Sequence, residues 1–337
     1  MRVLQVGNFS APHSTESHLR TAMLSHGWDV RSVQENDRWC WSDLASNAPA
    51  DVDFVLWTRT GWDYDHLLGP GGDKMVKAWQ HQFLRLCRLH GIPTVGYHLD
   101  RWRGLEREHQ VEEEPFFSCS LLVTADGSDE RWWMDKGVNH VWFLPGVSEP
   151  ECAPGTPRDE FRSKIAFVGS WQGHYHQEHQ HRFQLVDWLR RNFRKDCAFW
   201  PRQGQPAVRG QDLRDLYASV DVLVGDSCFS GDGIGFYVSD RLSESTGRGG
   251  YLIHPNTKGV TDGSKWNGVP TWRGGEHLGT WDAGDWDALG SAIEWALSHP
   301  DERKQIARAG RELVLEHHTY ERRCQQLALL LERKGYL

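Results

Sequence analysis

Within Gly235–Pro255, four polar side chains stand close together: Ser239, Asp240, Arg241 and Glu244. They precede Gly249-Gly250 and the apolar run Tyr251-Leu252-Ile253. The order reads as a polar helix feeding a buried strand through a glycine turn, with Asp240, Arg241 and Glu244 at spacings that let them share one helix face. A carboxylate in such a place can accept both hydroxyls of a ribose, and a guanidinium can neutralise a departing diphosphate. The same spacing also suits a plain ion pair on a helix surface.

Three further stretches could carry chemistry. Gly169-Ser170-Trp171-Gln172-Gly173 follows the apolar run Ile165–Val168, and a glycine-bearing turn there lets a phosphate approach backbone N–H groups. Four histidines follow, His174, His176, His179 and His181. They suggest a metal, yet their mixed spacing fits no common zinc pattern and reads more simply as a polar loop. His98 and Asp100 stand at or just past the end of a strand, where ligands bind in open parallel sheets and where either could orient or deprotonate a hydroxyl. Near the N-terminus, Gly7–His18 joins the first strand to the first helix. Ser14 or Thr15 can cap that helix, and His13 and Glu16 offer polar contacts. This turn lacks the three spaced glycines of a dinucleotide fingerprint, which removes most support for an NAD-dependent oxidoreductase.

These residues are positioned by an alternation of short apolar runs and amphipathic segments, without an internal repeat. Residues 3–6, 28–34, 53–58, 93–98, 121–125 and 141–144 read as strands, and 14–26, 74–90 and 129–136 as helices. After the Pro- and Gly-rich stretch 145–156 the rhythm restarts, with strands at 165–168, 197–199, 222–224 and 251–254. Helices are expected at 180–193, 210–218, from 240, and over 286–299, 300–316 and 320–334. Such alternation implies α/β architecture with parallel sheets covered on both faces.

Composition narrows the class. At 337 residues the chain is long enough for two domains. A net charge of −8 argues against holding nucleic acid by bulk electrostatics. Arg190, Arg191, Arg194 and Lys195 make one basic cluster, best read as a solvated helix end. Seven scattered cysteines in no metal or redox spacing read as reduced and partly buried. No apolar run approaches the roughly 18 residues of a membrane span. The start lacks signal-peptide character, so a cytoplasmic protein is expected.

The Ser239–Pro255 stretch resembles the donor-site segment of GT-B glycosyltransferases, in particular the CgeB-like branch, itself similar to the retaining family 4-type group. Glu316-His317-His318-Thr319-Tyr320-Glu321-Arg322-Arg323 is similar to the His-Thr-aromatic-x-x-Arg ending of that branch, and Gly7-Asn8-Phe9 with Pro12–Glu16 looks like bacteriophage-encoded members. The resemblance implies two Rossmann-like domains facing across a cleft. An N-terminal domain over 1–147 would take the acceptor, a linker would span 148–160, the donor domain 161–316, and a closing helix 317–337. It implies Glu244 on the nucleotide ribose. Where the wider group often has a second glutamate eight residues earlier, this chain has Phe236, and the Arg and Lys common after the glycine turn are absent. Arg241, Arg182 and Lys258 are then the available phosphate cations, with Gly169, Ser170, Ser239 and Asp240 completing the donor set.

The implied reaction moves a hexosyl or pentosyl group from a UDP- or GDP-sugar to a hydroxyl, with no metal required. Retention is favoured, with the leaving phosphate taking the acceptor's proton. Inversion would call on His98, Asp100, His13 or Glu16. The phage likeness points to a modified DNA base or a virion protein as acceptor, within a host cytoplasm, with other proteins or glycans also open. A nucleotide-sugar epimerase and a non-catalytic sugar-nucleotide binding protein are the alternatives.

Overall fold

A computed structural model describes residues 1–61, 63–127, 129–171, 182–226 and 237–337. They fall into two compact units, Met1–Phe143 with Arg323–Leu337, and Leu144–Arg322.

The first unit alternates strands and helices in chain order: β1 (Arg2–Gly7), α1 (Thr15–Ser25), β2 (Asp29–Gln34), α2 (Cys40–Ser46), β3 (Phe54–Thr58), α3 (Tyr64–Leu68), α4 (Gly72–Leu89), β4 (Thr94–His98), α5 (Gln110–Glu113), β5 (Leu121–Thr124), α6 (Glu130–Asp135) and β6 (His140–Trp142). The strands pair in parallel in the order β2-β1-β3-β4-β5-β6. Central strands β3, β4 and β5 are buried at every position, as expected where helices cover both sheet faces. Helix α4 shows how the sequence builds this cover: Val76, Gln80, Phe83, Leu84 and Cys87 recur at helical spacing and are its buried side chains beyond the first turn. They reach a core rich in large aromatics, where Trp41 and Trp57 lie 4.6 Å apart and Trp57 meets Phe116 edge-on at 5.1 Å. Helix starts are fixed by side chains. The Ser14 Oγ accepts from the Ser17 N–H, and the Asp129 carboxylate accepts from the N–H groups of Arg131 and Trp132.

The second unit contains β7 (Ser163–Val168), α7 (Arg182–Phe193), β8 (Cys197–Trp200), α8 (Gly210–Ser219), β9 (Val220–Val224), α9 (Arg241–Gly247), β10 (Leu252–Pro255), the hairpin β11 (Lys265–Trp266) and β12 (Val269–Pro270), β13 (Gly279–Trp281), α10 (Trp286–Ser298) and α11 (Pro300–His317). Helix α12 (Tyr320–Arg333) begins here and ends in the first unit. Its sheet is parallel in the order β13-β10-β9-β7-β8. The family-like ending 316–323 is structural in this unit. The His318 ring stacks on Trp272 at 4.0 Å with Nε2 2.9 Å from the Pro270 carbonyl, and the backbone of 318–320 bonds both the N–H and the carbonyl of Val147.

Both sheets are wound alike. In each, the first strand lies between the second and the third, so the chain reverses direction across the sheet between β1 and β3 and again between β7 and β9. Helices leave opposite faces at that point, which opens a crevice beyond the carboxyl ends of the two strands. The expected α/β class with two Rossmann-like sheets is what the structure has. Six elements were absent from the sequence reading: α2, α3, α5, the two strands of the β11–β12 hairpin and β13, all short. Among the described residues no helix is long and apolar enough to cross a membrane.

Candidate functional site

In the second unit the reversal point is lined by the residues that follow β7 and β9. Gly169, just past β7, has φ +150°, and a Cβ built there would lie 2.2 Å from Nη2 of Arg241. Only a residue without a side chain lets that guanidinium rest against the strand end. Past β9, Asp226 is nearly buried and receives two arginines, one from α7 and one from α9. Arg182 of α7 donates from Nε at 3.0 Å and Nη2 at 3.0 Å to its carboxylate, and Arg241, which opens α9, donates from Nη1 at 3.2 Å. Both guanidinium carbons sit 5.6 Å from the Phe167 ring, which floors the cluster. His254 ends β10 close by. Burial lowers its pKa to about 4, with the Asp226 charge opposing and the Arg241 charge reinforcing the shift, and its Nδ1 lies 2.8 Å from the Pro255 carbonyl. A ring neutral at pH 7 must donate from Nδ1 to that carbonyl.

Helix α9 carries the remaining candidates. The Ser239 Oγ is buried and has no hydrogen-bond partner among the described residues. Asp240 occupies the cap position, and its carbonyl accepts from the Glu244 N–H. Arg241 and Glu244 do not pair with each other. Glu244, about a third exposed, faces Arg248 at 3.9 Å, and Arg248 is itself buried and held at 3.0 Å by Glu151. One helical turn therefore presents a cation backed by a carboxylate and a carboxylate backed by a cation. Lys258 is exposed on the turn after β10.

The equivalent edge of the first unit has a different character. Glu16 is buried over Gly7, where a Cβ would meet its Cγ at 2.7 Å, and burial raises its pKa. His13 is exposed, its ring 6.2 Å from that of His18. Glu35, one residue past β2, is fully enclosed. Its carboxylate accepts from Trp57 Nε1 at 2.9 Å and from the Thr60 N–H and Oγ1 at 2.9 and 2.7 Å, yet burial outweighs these bonds and pushes its pKa up to about 7. His98 ends β4, wedged edge-on against Trp102 and Phe116, with its pKa lowered to about 4 by burial. Its Nδ1 accepts from the Asp100 N–H at 3.0 Å and from Trp102 Nε1 at 3.4 Å. Nε2 therefore carries the proton and faces the Asp100 carboxylate at 3.9 Å.

Set against the sequence reading, the structure gathers Gly169, Ser170, Arg182 and Arg241 around one carboxylate and places Ser239, Asp240 and Glu244 along the next turn. Three expectations are corrected. The Gly169 N–H is not offered to a ligand, because it donates to the Trp200 carbonyl in the sheet at 2.8 Å. Arg182 is not an open cation: it is buried, and its Nη1 donates to the Ser170 carbonyl at 2.7 Å while its other nitrogens hold Asp226. His98 is not poised as a base, since its only lone pair is already occupied. The histidines 174–181, together with Gln172, Gly173 and Phe236, lie outside the described residues. Asp226 and Arg248 went unassigned in the sequence, as did Glu35. Asp226 had a signal, being the first charged residue after the apolar strand Val222-Leu223-Val224 and its glycine. Glu35 likewise closes a strand, whereas Arg248 looks like any arginine at a helix end.

Comparison with known proteins bears on the fold. Residues 163–328 match a family model described as glycosyl transferase-like. Among solved structures, an alpha-glucosyltransferase in complex with UDP-glucose and DNA containing an abasic site superposes with a TM-score of 0.69 at 9% identity, covering 98% of this chain and 99% of that one. Alr3699/HepE of Anabaena, in complex with UDP and glucose, gives 0.60 at 11% identity over 99% of this chain and 100% of that one. Sucrose-phosphate synthase of Thermosynechococcus elongatus gives 0.59 at 11% identity, covering 99% of each. The fold is thus that of the GT-B glycosyltransferases. Isoleucine–tRNA ligase of Lactococcus lactis subsp. lactis is 29% identical over 153 residues, 41% of this chain, and the match spans only 16% of the ligase.

Proposed function

We propose that this protein is a glycosyltransferase that moves a hexosyl group from a UDP-sugar to an acceptor hydroxyl, with its donor site at the carboxyl edge of the second unit's sheet. One observation carries the reading: Arg241 lies at the reversal point of a glycosyl transferase-like domain, seated against a side-chain-free strand end, with the partly exposed carboxylate of Glu244 one turn further along α9. That is a cation for a diphosphate and an acceptor for ribose hydroxyls on a single rigid element. The buried Ser239 Oγ, which has no hydrogen-bond partner among the described residues, supplies a further donor, and Asp240 and Lys258 complete the set.

As the bond from the anomeric carbon to the diphosphate breaks, positive charge grows on the sugar and negative charge on the leaving oxygen. Fixed cationic donors at that oxygen stabilise the transition state more than the ground state. Arg241 does this work, and a divalent cation is not required. The proton of the acceptor hydroxyl passes to the leaving phosphate, and configuration is retained. His98 favours this route over inversion, because a neutral imidazole already accepting at Nδ1 has no lone pair for a hydroxyl. Asp100, His13 and Glu16 then contribute to the acceptor side by contact rather than as bases.

For the acceptor we favour a hydroxyl on a modified DNA base, on the likeness to an alpha-glucosyltransferase solved with DNA. A screen of UDP- and GDP-sugars by thermal shift tests the donor, since a ligand that binds only the folded state raises apparent stability. Mass spectrometry of hydroxymethylated duplexes incubated with the shifting donor then tests the acceptor. No shift with any UDP-sugar rejects the donor assignment. A shift without mass gain on DNA rejects the acceptor alone.

A further inference from the structure

Asp226 is placed oddly for a donor site. It is a carboxylate, nearly buried, at the point where a diphosphate is to be held, and by simple Coulomb repulsion it should oppose that ligand. Its geometry points elsewhere. Arg182 spends Nε and Nη2 on this carboxylate and Nη1 on the Ser170 carbonyl, so Arg182 fixes Asp226 to the strand end after β7. Asp226 in turn takes Nη1 of Arg241, while Gly169 leaves room for Nη2. The Arg241 side chain is 15% exposed, against 3% for Arg182. The two arginines therefore have separate tasks: one is consumed in building the mount, and the other is mounted.

Resting on the donor reading above, we propose that Asp226 is a positioning residue that holds the Arg241 guanidinium in its diphosphate-binding orientation, with Arg182 as its anchor rather than a second phosphate ligand. An arginine side chain free to rotate must be ordered when the ligand arrives, and one already pinned at one nitrogen loses less freedom. The gain from that order exceeds the cost of the nearby negative charge, which the two guanidinium groups more than neutralise.

The two readings of Asp226 predict opposite signs. If its charge alone mattered, Asp226→Asn would bind UDP more tightly. If it positions Arg241, Asp226→Asn binds UDP about tenfold more weakly or worse, by analogy with other charge-assisted hydrogen bonds. The experiment is calorimetric titration of UDP and of uridine into wild type, Asp226→Asn, Arg241→Met and the double variant. The expected result is weaker UDP binding in each single variant, no further loss in the double beyond Arg241→Met, and unchanged uridine affinity throughout. Tighter or unchanged UDP binding in Asp226→Asn overturns the proposal, as do additive losses in the double variant. An equal loss for uridine also overturns it, because that marks a collapsed site. Removing one member of a buried ion pair can unfold a protein. Should Asp226→Asn not fold, Arg182→Met with Asp226→Leu removes both charges together, and the same loss confined to UDP is expected. Wild type that is folded yet binds no UDP defeats the donor reading and this one with it. Wild type that binds UDP beside an unaffected Asp226→Asn defeats only this one.

Discussion

The two units wind their sheets in the same order, yet the groups at the ends of their strands differ in kind. At the second unit's edge, two guanidinium groups share one carboxylate, with the neighbouring His254 ring kept neutral by burial. At the first unit's edge, burial drives Glu35 and Glu16 toward their protonated forms and keeps His98 uncharged. The contrast teaches that the fold supplies only the crevice. What occupies the strand ends decides whether the crevice holds arginines mounted on a shared carboxylate, suited to an anion, or carboxyl and imidazole groups whose charged forms burial disfavours.

If fixed charge is what distinguishes the second edge, its removal should have the largest effect. Arg241→Met is expected to lower kcat/KM for the UDP-sugar by roughly 10²–10³-fold, the cost of deleting one donor to a developing oxyanion. The melting temperature should shift little, since Arg182 still satisfies Asp226. A loss below about fivefold in steady-state transfer would erase the contrast. Next comes Glu244→Ala, expected to weaken UDP binding by about 10- to 100-fold, as for a hydrogen bond to a charged group. Arg248 keeps Glu151 as a partner in that variant, and equal weakening for inorganic pyrophosphate would remove Glu244 from the ribose.

The first edge can be tested through linkage. Glu35 has a folded-state pKa of about 7, above its ordinary value, so the folded protein holds a proton that the unfolded chain has released. Stability should therefore fall as pH rises from about 4.5 to 7 and level off above that, at a slope approaching 1.4 kcal/mol per pH unit from this group. In urea titrations Glu35→Gln should flatten that part of the profile, and an unchanged slope would show that Glu35 is not the group responsible. The smallest expected effect is none: if Arg241 carries the leaving charge as proposed, chelation with EDTA should leave transfer unchanged. Activity abolished by EDTA and restored by magnesium or manganese would overturn that assignment.

Much of the architecture was legible because it rests on local rules. A continuous apolar run such as Phe54–Trp57, flanked by polar stretches and too short for a helix, suits a strand buried on both faces, and the spacing of Val76 to Cys87 suits one face of a helix. The short elements were not legible. Strand β13 has three residues and hairpin strands β11 and β12 have two each, so neither periodicity nor propensity can register them.

The sequence alone determined two alternating α/β segments, the glycine at 169 and the charged turn that begins α9, because each depends on residues within a few positions of one another. Only the tertiary structure decided what those charges do. Arg241 meets Asp226 across 15 residues and Arg182 meets it across 44, and both contacts exist because β9 lies next to β7 while the intervening β8 goes to the edge. Strand order is a property of packing the whole sheet, so the partner of each guanidinium is fixed only when the sheet closes around its core.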